Sequence, residues 1–268
     1  MPERLARAVA PSLHLSQEVV SILSRRDHVE MGVRSLRDGS THHATFDHVI
    51  NTIPPPAQRG IAHNFGPRKR WAMSGVRYAA ATKVALLCRE RFWERRYGID
   101  AGAAYLGPLA KLAYFPNPEQ YEEARSDPRG VLLGSYTVGR DAEALSGYGD
   151  EALVSLVRSE IATRYPEIEQ PGMVEAHRVV HWQREAGFSG ACSVMWPSYY
   201  DDLDSGSLAS MFEELRRPEG RVHFAGEHCS SYRAWIEGAI VSSLQSVAAI
   251  GREVAQPMET VAAAVGAP

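Results

Sequence analysis

An α/β (α+β) fold, in which the chain leaves one domain and later re-enters it, is predicted by three features of the sequence. Strand-length alternating or wholly apolar runs such as THHATFDHVI and ATKVALLC are spread along the chain. A helical period appears between them in DEALVSLVRSEIATRYP. The final stretch, from Arg221 to Gly251, reads as a strand, a turn and a helix. Interspersed elements of both kinds exclude a helical bundle, and no internal repeat or low-complexity tract is evident.

In chain order, Pro2 to Val9 reads as a helix and His14 to Ser24 as a strand with Leu15, Val19 and Ile22 inward. Asp38-Gly39 marks a hairpin between VEMGVRSL and THHATFDHVI. Phe46 to Ile53 reads as a buried strand stopped by Pro54-Pro55-Pro56, which cannot donate to a ladder, and this run is the first boundary. After the polar stretch Arg68 to Trp71 comes the strand YAAATKVALLC, then LAYF and GVLLGSYTVG as further strands. A helix ending before Pro166 turns Leu153, Leu156, Val157 and Ile161 to one side. MVEAHRVVHWQ is a strand, and a short helix surrounds Leu208 to Leu215. In the last helix Ile236, Ile240, Leu244 and Val247 recur at helical spacing and predict its buried face.

A chain of 268 residues is long enough for one large or two modest domains. It is 44% hydrophobic and 23% charged, as ordinary globular proteins are, and its net charge of −3 gives no reason to expect nucleic acid or an anionic membrane as partner. Cys88, Cys192 and Cys229 are scattered and odd in number, which speaks against a disulfide framework and for the reducing cytoplasm. No signal peptide and no apolar run of about 20 residues is visible. His177 and His181 stand four apart on a strand, a spacing that does not bring them together, and His42-His43 and Asp201-Asp202 fall in or beside polar turns. No zinc, Walker or nucleophile-elbow pattern is present.

The string FAGEH…AWIEGAI carries the most specific information. Small residues at the end of a strand let a ligand approach the backbone, and the following helix offers its unpaired N–H groups to something electron-rich. In its turn, acid, Trp and Glu-Gly step the string resembles the last segment of the flavin-dependent amine oxidases, the family of L-amino-acid and monoamine oxidases. The resemblance is dense at Thr82–Leu87, Trp182–Cys192 and Arg221–Leu244. That family opens with a GxGxxG loop for the cofactor's pyrophosphate, and no GxGxxG occurs in this chain, whose first residues resemble a mid-family segment. The resemblance therefore implies the back half of such an oxidase: a truncated or split form, with a separate chain carrying the GxGxxG half as one partner.

The implied organisation is a partial FAD-binding, Rossmann-like domain at 1–55, a mixed-sheet substrate domain at 56–217, the returning strand and helix of the FAD-binding domain at 218–256, and a tail at 257–268. The implied cofactor is FAD. The implied activity is oxidative deamination of an L-amino acid to a 2-oxo acid, ammonia and hydrogen peroxide, with dioxygen as co-substrate; a monoamine or polyamine oxidase and a noncatalytic remnant or subunit are the alternatives. A homo-oligomer is compatible with the resemblance.

Residue by residue, the resemblance puts Lys83, in ATKVALLC, where the family's lysine holds a water against the flavin and serves oxygen reactivity; a snorkelling strand lysine is the plain alternative. Val19, Trp182, Gly226, Glu227, Trp235 and Ile236 fall at cofactor-binding positions, the last through its backbone N–H. Ala234 and Trp235 fall at the wall of the substrate cage, and core tryptophans are the alternative for Trp182 and Trp235. Tyr114 and Phe115 before Pro116-Asn117 resemble a segment whose tyrosine contacts the substrate carboxylate, with Phe115 in that tyrosine's place. Cys192 lies in FSGACS, similar to a segment in monoamine oxidases whose cysteine bonds the flavin covalently; its spacing from Trp182 is one residue longer, and a plain buried cysteine is the alternative.

Overall fold

The computed structural model describes residues 2–116, 126–185, 187–194 and 197–255. The tail expected at 257–268 and Asn117 lie outside them. The chain divides into two compact units, one formed by Met1–Arg77 with Val194–Pro268, the other by Tyr78–Ser193. The α/β class holds, and a central segment is inserted into a discontinuous first unit. The divisions lie inside the expected 56–217, because residues 56–77 and 194–217 group with the first unit.

The first unit opens with α1 (Pro2–Ala8) and the strands β1 (Gln17–Ser24), β2 (Val29–Ser35), β3 (Thr41–Phe46), β4 (Val49–Asn51) and β5 (Ala62–His63), followed by α2 (Pro67–Gly75). The order β3-β2-β1-β5 makes one sheet, antiparallel except for the β1–β5 pair. The Asp38-Gly39 hairpin forms as expected, with the Ser35 N–H donating to the Ser40 carbonyl at 2.8 Å. Of the three residues expected inward on β1, Ile22 is buried and Val19 half-buried, but Leu15 precedes the strand and is exposed. The expected single strand from Phe46 to Ile53 is broken at Asp47-His48, so that β4 leaves the sheet of β3 and pairs elsewhere.

The second unit contains β6 (Tyr78–Ala79), β7 (Ala81–Cys88), α3 (Phe92–Tyr97), β8 (Gly102–Tyr105), β9 (Leu112–Phe115), β10 (Gly130–Val138), α4 (Arg140–Leu145), α5 (Asp150–Ala162), β11 (Val174–His181) and β12 (Cys192–Ser193). Its five-stranded sheet has the order β11-β7-β10-β9-β8, and each neighbouring pair runs antiparallel. Strand alternation sorts β7 cleanly: Thr82, Val84, Leu86 and Cys88 are buried, while Lys83, Ala85 and Leu87 on the other face are half-buried. The covered face meets α5 through Leu153, Val157 and Ile161, joined by Val154, with Leu156 only half-buried. Trp93, Phe92, Tyr165 and Phe115 build its aromatic corner, with ring centroids 5.1–6.3 Å apart.

The chain then returns through α6 (Ser205–Arg216), β13 (Val222–Phe224) and α7 (Ile236–Ala255). β13 pairs in parallel with β4, Val222 to Val49 and Phe224 to Asn51. Both unit and strand are organised by Lys69, which lies with Ala72 and Met73 on the buried face of α2. Its side chain is 0% exposed. The ammonium donates to the carbonyls of Glu214, Leu215 (3.1 Å) and Arg217 (2.6 Å) at the end of α6, and stands 4.0 Å from the centre of the Phe224 ring. Helix C-terminal carbonyls lack partners and carry partial negative charge, so a cation there is stabilised twice. Burial still pulls the lysine pKa down to about 8, which leaves it mainly charged at neutral pH.

Lys69→Met keeps the stem and removes the donor. It is expected to lower the unfolding free energy by about 2–4 kcal/mol, since buried carbonyls lose their partner, read as a shift of the urea midpoint; an unchanged midpoint would show that water replaces the ammonium without cost.

Candidate functional site

Between β13 and α7 lies a turn whose geometry follows from its sequence. Phe224 ends the buried strand, and Gly226 takes φ 136°, a region closed to side chains, where an added Cβ would stand 2.5 Å from the His228 ring. Ser242, one turn and a half into α7, accepts the Gly226 N–H at 3.0 Å and donates to the Gly226 carbonyl at 2.8 Å. Ser246 donates to the Phe224 carbonyl at 3.1 Å. At Gly238 an added Cβ would meet the Tyr232 carbonyl at 2.0 Å. The helix thus rests its small face, Gly238, Ser242 and Ser246, on the main chain of the strand and turn.

That arrangement corrects the expected buried face. Ile236, Ile240, Leu244 and Val247 are exposed, Leu244 at 64%. Periodicity located an apolar stripe, but the helix packs on backbone, which only small residues allow at that distance. The Gly238-Ser242-Ser246 spacing of four was the available sequence signal.

The loop from Glu227 to Trp235 is folded back on the turn. The Ala234 N–H donates to the Glu227 carboxylate at 2.9 Å, while Ala234 itself holds φ 63°, a left-handed conformation uncommon outside glycine. Trp235 follows at 72% exposure, so it is no core residue of this unit. α7 begins at Ile236, whose N–H falls in the first turn, where N–H groups have no partner within the helix. Gly226, Glu227, Ala234, Trp235 and Ile236 are therefore brought together. Beneath them, His228 is buried, and burial pushes its pKa down to about 4. The Arg233 guanidinium lies 3.6 Å from the centre of the Phe212 ring, with its pKa drawn down to about 10, chiefly by burial.

In the second unit, Lys83 sits on the half-buried face of β7, across from Tyr136 on β10 and Val180 on β11. Its Nζ stands 4.4 Å from the centre of the Tyr136 ring, and the Tyr114 ring follows at 6.1 Å from Tyr136. Tyr114 and Tyr136 are the neighbours that sequence reasoning left out or passed over. Phe115, expected at a substrate position, is 4% exposed in the aromatic corner. Alternation along β9 explains the exchange: Leu112 and Tyr114 face outward, Ala113 and Phe115 inward. Trp182 is half-buried just beyond β11, its backbone N–H donating to the Ala81 carbonyl at 2.9 Å and its ring meeting Phe188 edge-on at 5.3 Å. Cys192 is half-buried on β12, and none of the three cysteines is in a disulfide. Val19 lies on β1 of the first unit, opposite Val33.

The sequence pattern of the flavin containing amine oxidoreductases matches residues 1–251. Over 251 residues the chain is 36% identical to the flavin-dependent L-tryptophan oxidase RebO of Lentzea aerocolonigenes, covering 92% of this chain and 50% of that protein. It is 23% identical to an L-amino-acid oxidase of Demansia vestigiata, covering 96% of this chain and 47% of the relative. The chain thus spans about half the length of these relatives. Among solved structures, a putrescine oxidase triple mutant superposes with a TM-score of 0.74 at 19% identity, covering 93% of this chain and 52% of that one. Cyclohexylamine oxidase from Brevibacterium oxydans gives 0.73 at 17%, covering 95% and 52%. These two likenesses show the fold.

Burial of His228 makes the turn acid-sensitive. Between pH 6.5 and about 4 the unfolded chain binds a proton that the folded ring refuses, so stability falls as pH drops through that window. The expected loss from pH 7 to pH 4.5 is about 2–3 kcal/mol, and His228→Gln should reduce that difference in urea unfolding; an equal loss in both proteins would assign the acid limb to other groups.

Proposed function

The chain belongs to the flavin containing amine oxidoreductases, and from that premise we propose that it forms the substrate-side and cofactor-closing portion of an FAD-dependent L-amino-acid oxidase. The arrangement of Gly226, Glu227, Ala234, Trp235 and Ile236 carries the reading. A close-approach glycine, an acid and a helix start lie within one folded turn, which suits one end of a dinucleotide. The identity with a flavin-dependent L-tryptophan oxidase across nearly the whole chain favours an amino acid over a simple amine as substrate.

In this reading the overall reaction takes an L-amino acid, water and dioxygen to a 2-oxo acid, ammonia and hydrogen peroxide. When bound, the flavin supplies the two-electron acceptor. Trp235, held out by the left-handed Ala234, offers its ring face as a wall for the amine, and the Ile236 N–H offers a donor to an acceptor oxygen of the cofactor. The Lys83 ammonium, steadied over Tyr136, supplies positive charge where dioxygen gains negative charge. Tyr114 rather than Phe115 presents a hydroxyl on the outward face, for a substrate carboxylate.

The pyrophosphate cradle comes, in this proposal, from a GxGxxG-bearing stretch of polypeptide, continuous with this chain or separate. The exposed stripe Ile240, Leu244 and Val247 on α7 supports it, being apolar surface suited to burial against such a stretch. Co-expression with the GxGxxG-bearing portion of the L-tryptophan oxidase relative tests the whole reading. The assembled protein should bind FAD and release peroxide with L-amino acids but not with putrescine or cyclohexylamine. Peroxide only from the amines would refute the substrate class, and bound FAD without turnover would mark a binding subunit.

Two substitutions sharpen this. Lys83→Met should slow dioxygen consumption by at least about tenfold, roughly 1.4 kcal/mol or more of barrier, while substrate-driven bleaching of the flavin absorbance changes much less; equal slowing of both would make Lys83 structural. Trp235→Ala should raise KM and lower kcat together through lost positioning, at an unchanged melting temperature because the ring is exposed. Normal kinetics per bound flavin would remove Trp235 from the site.

A further inference from the structure

Away from that turn, at the other end of α7, three metal-binding side chains converge in the first unit. His223 is the central residue of β13, His48 immediately precedes β4, and Glu253 lies in the last turn of α7. His48 Nδ1, His223 Nε2 and a Glu253 carboxylate oxygen all lie within 4.8 Å of one another. The carboxylate oxygen is 3.8 Å from each ring nitrogen. Both nitrogens are buried and make no hydrogen bond, and the His223 side chain is 1% exposed. A buried imidazole nitrogen without a partner is costly, and here two of them face one carboxylate.

We propose that His48, His223 and Glu253 form a structural site for a divalent transition metal of the zinc class, fastening the last turn of α7 to the β4–β13 pair. The ring spacing fits. Two imidazoles on one tetrahedral ion at about 2.0–2.1 Å hold their centroids about 5.2 Å apart, and the His48 and His223 centroids are 5.5 Å apart. Donor atoms around such an ion stand about 3.3 Å from each other, so the carboxylate must close by about half an ångström. Glu253 can supply that movement, being 47% exposed, whereas His223 is fixed by the backbone of β13 and His48 stands next to the first paired residue of β4. Two nitrogens and one oxygen suit zinc or cobalt, with water completing the shell. A cleft of about 430 Å³ lined by His28, Thr45, Phe46, Asp47 and His48 borders one of the three residues.

One contact opposes binding. Arg221 Nη1 lies 3.2 Å from His48 Nε2, an approach that suits an unprotonated Nε2, whereas a metal on Nδ1 requires a proton on Nε2. Arg221 keeps its bonds to the carbonyls of Asp47 and Arg26, both at 3.3 Å, so the metal displaces one hydrogen bond of three.

The test uses the untagged chain, stripped with chelator and titrated with Co²⁺ and Zn²⁺. One Co²⁺ per chain should bind with the visible bands of a four-coordinate site, Zn²⁺ should displace it, and the melting temperature should rise. Glu253→Gln, at an exposed position, should weaken Co²⁺ binding at least tenfold, and His48→Ala should abolish the bands. Absence of saturable Co²⁺ binding in the wild-type chain, or equal binding by both variants, overturns the proposal.

Discussion

An ammonium held by main-chain carbonyls is the constraint on which the first unit depends. Lys69 ties α2 to the end of α6 and lies against Phe224, the last residue of β13, so a single point charge locates three elements. Carbonyls at a helix end are directional acceptors, and a lysine with three donors can meet several at once. An aliphatic residue could fill the space but could not select that one position along α6. Because β13 runs straight into the Gly226 turn, the placement of the turn inherits this selection.

Much of the second unit was legible because β7 and β9 alternate between a buried and a more exposed side. β7, β9 and β10 stand where ATKVALLC, LAYF and GVLLGSYTVG predicted them, and α5 buries Leu153, Val157 and Ile161. The turn between β13 and α7 was legible too, since a glycine at positive φ and a small-residue step are backbone requirements written as residue types. Other features left no such trace. Lys69 lies in PRKRW, whose composition is that of a solvated surface, and only the fold reveals that one of its cations is buried. The face of α7 was inverted because a period states that two faces differ, not which of them is covered. Phe115 and Tyr114 differ by one residue, the error to which strands are most sensitive.

The two units carry different kinds of chemistry. In the first, the groups that the proposed function assigns to a ligand are mostly backbone: a helix start, a left-handed alanine and a glycine, all held by serine hydroxyls and a carboxylate. In the second they are side chains on one sheet face, a lysine set over a tyrosine with a second tyrosine beyond it. Backbone recognition tolerates substitution except where a Cβ intrudes, whereas a sheet face changes its chemistry by exchanging one outward residue.

The parallel pairing of β4 with β13 also has a kinetic meaning. Val49–Asn51 and Val222–Phe224 are joined by the whole of the second unit, which is one continuous stretch of chain. Closing so long a loop from an open coil is slow, and three-residue strands return little for it. A contiguous unit made of antiparallel neighbours can collapse as soon as it leaves the ribosome and shorten that loop. The first unit would then be sealed late, when β13 and α7 arrive, so substitutions in β4 and β13 should act mainly on the unfolding rate and those in β7 and β10 on the folding rate.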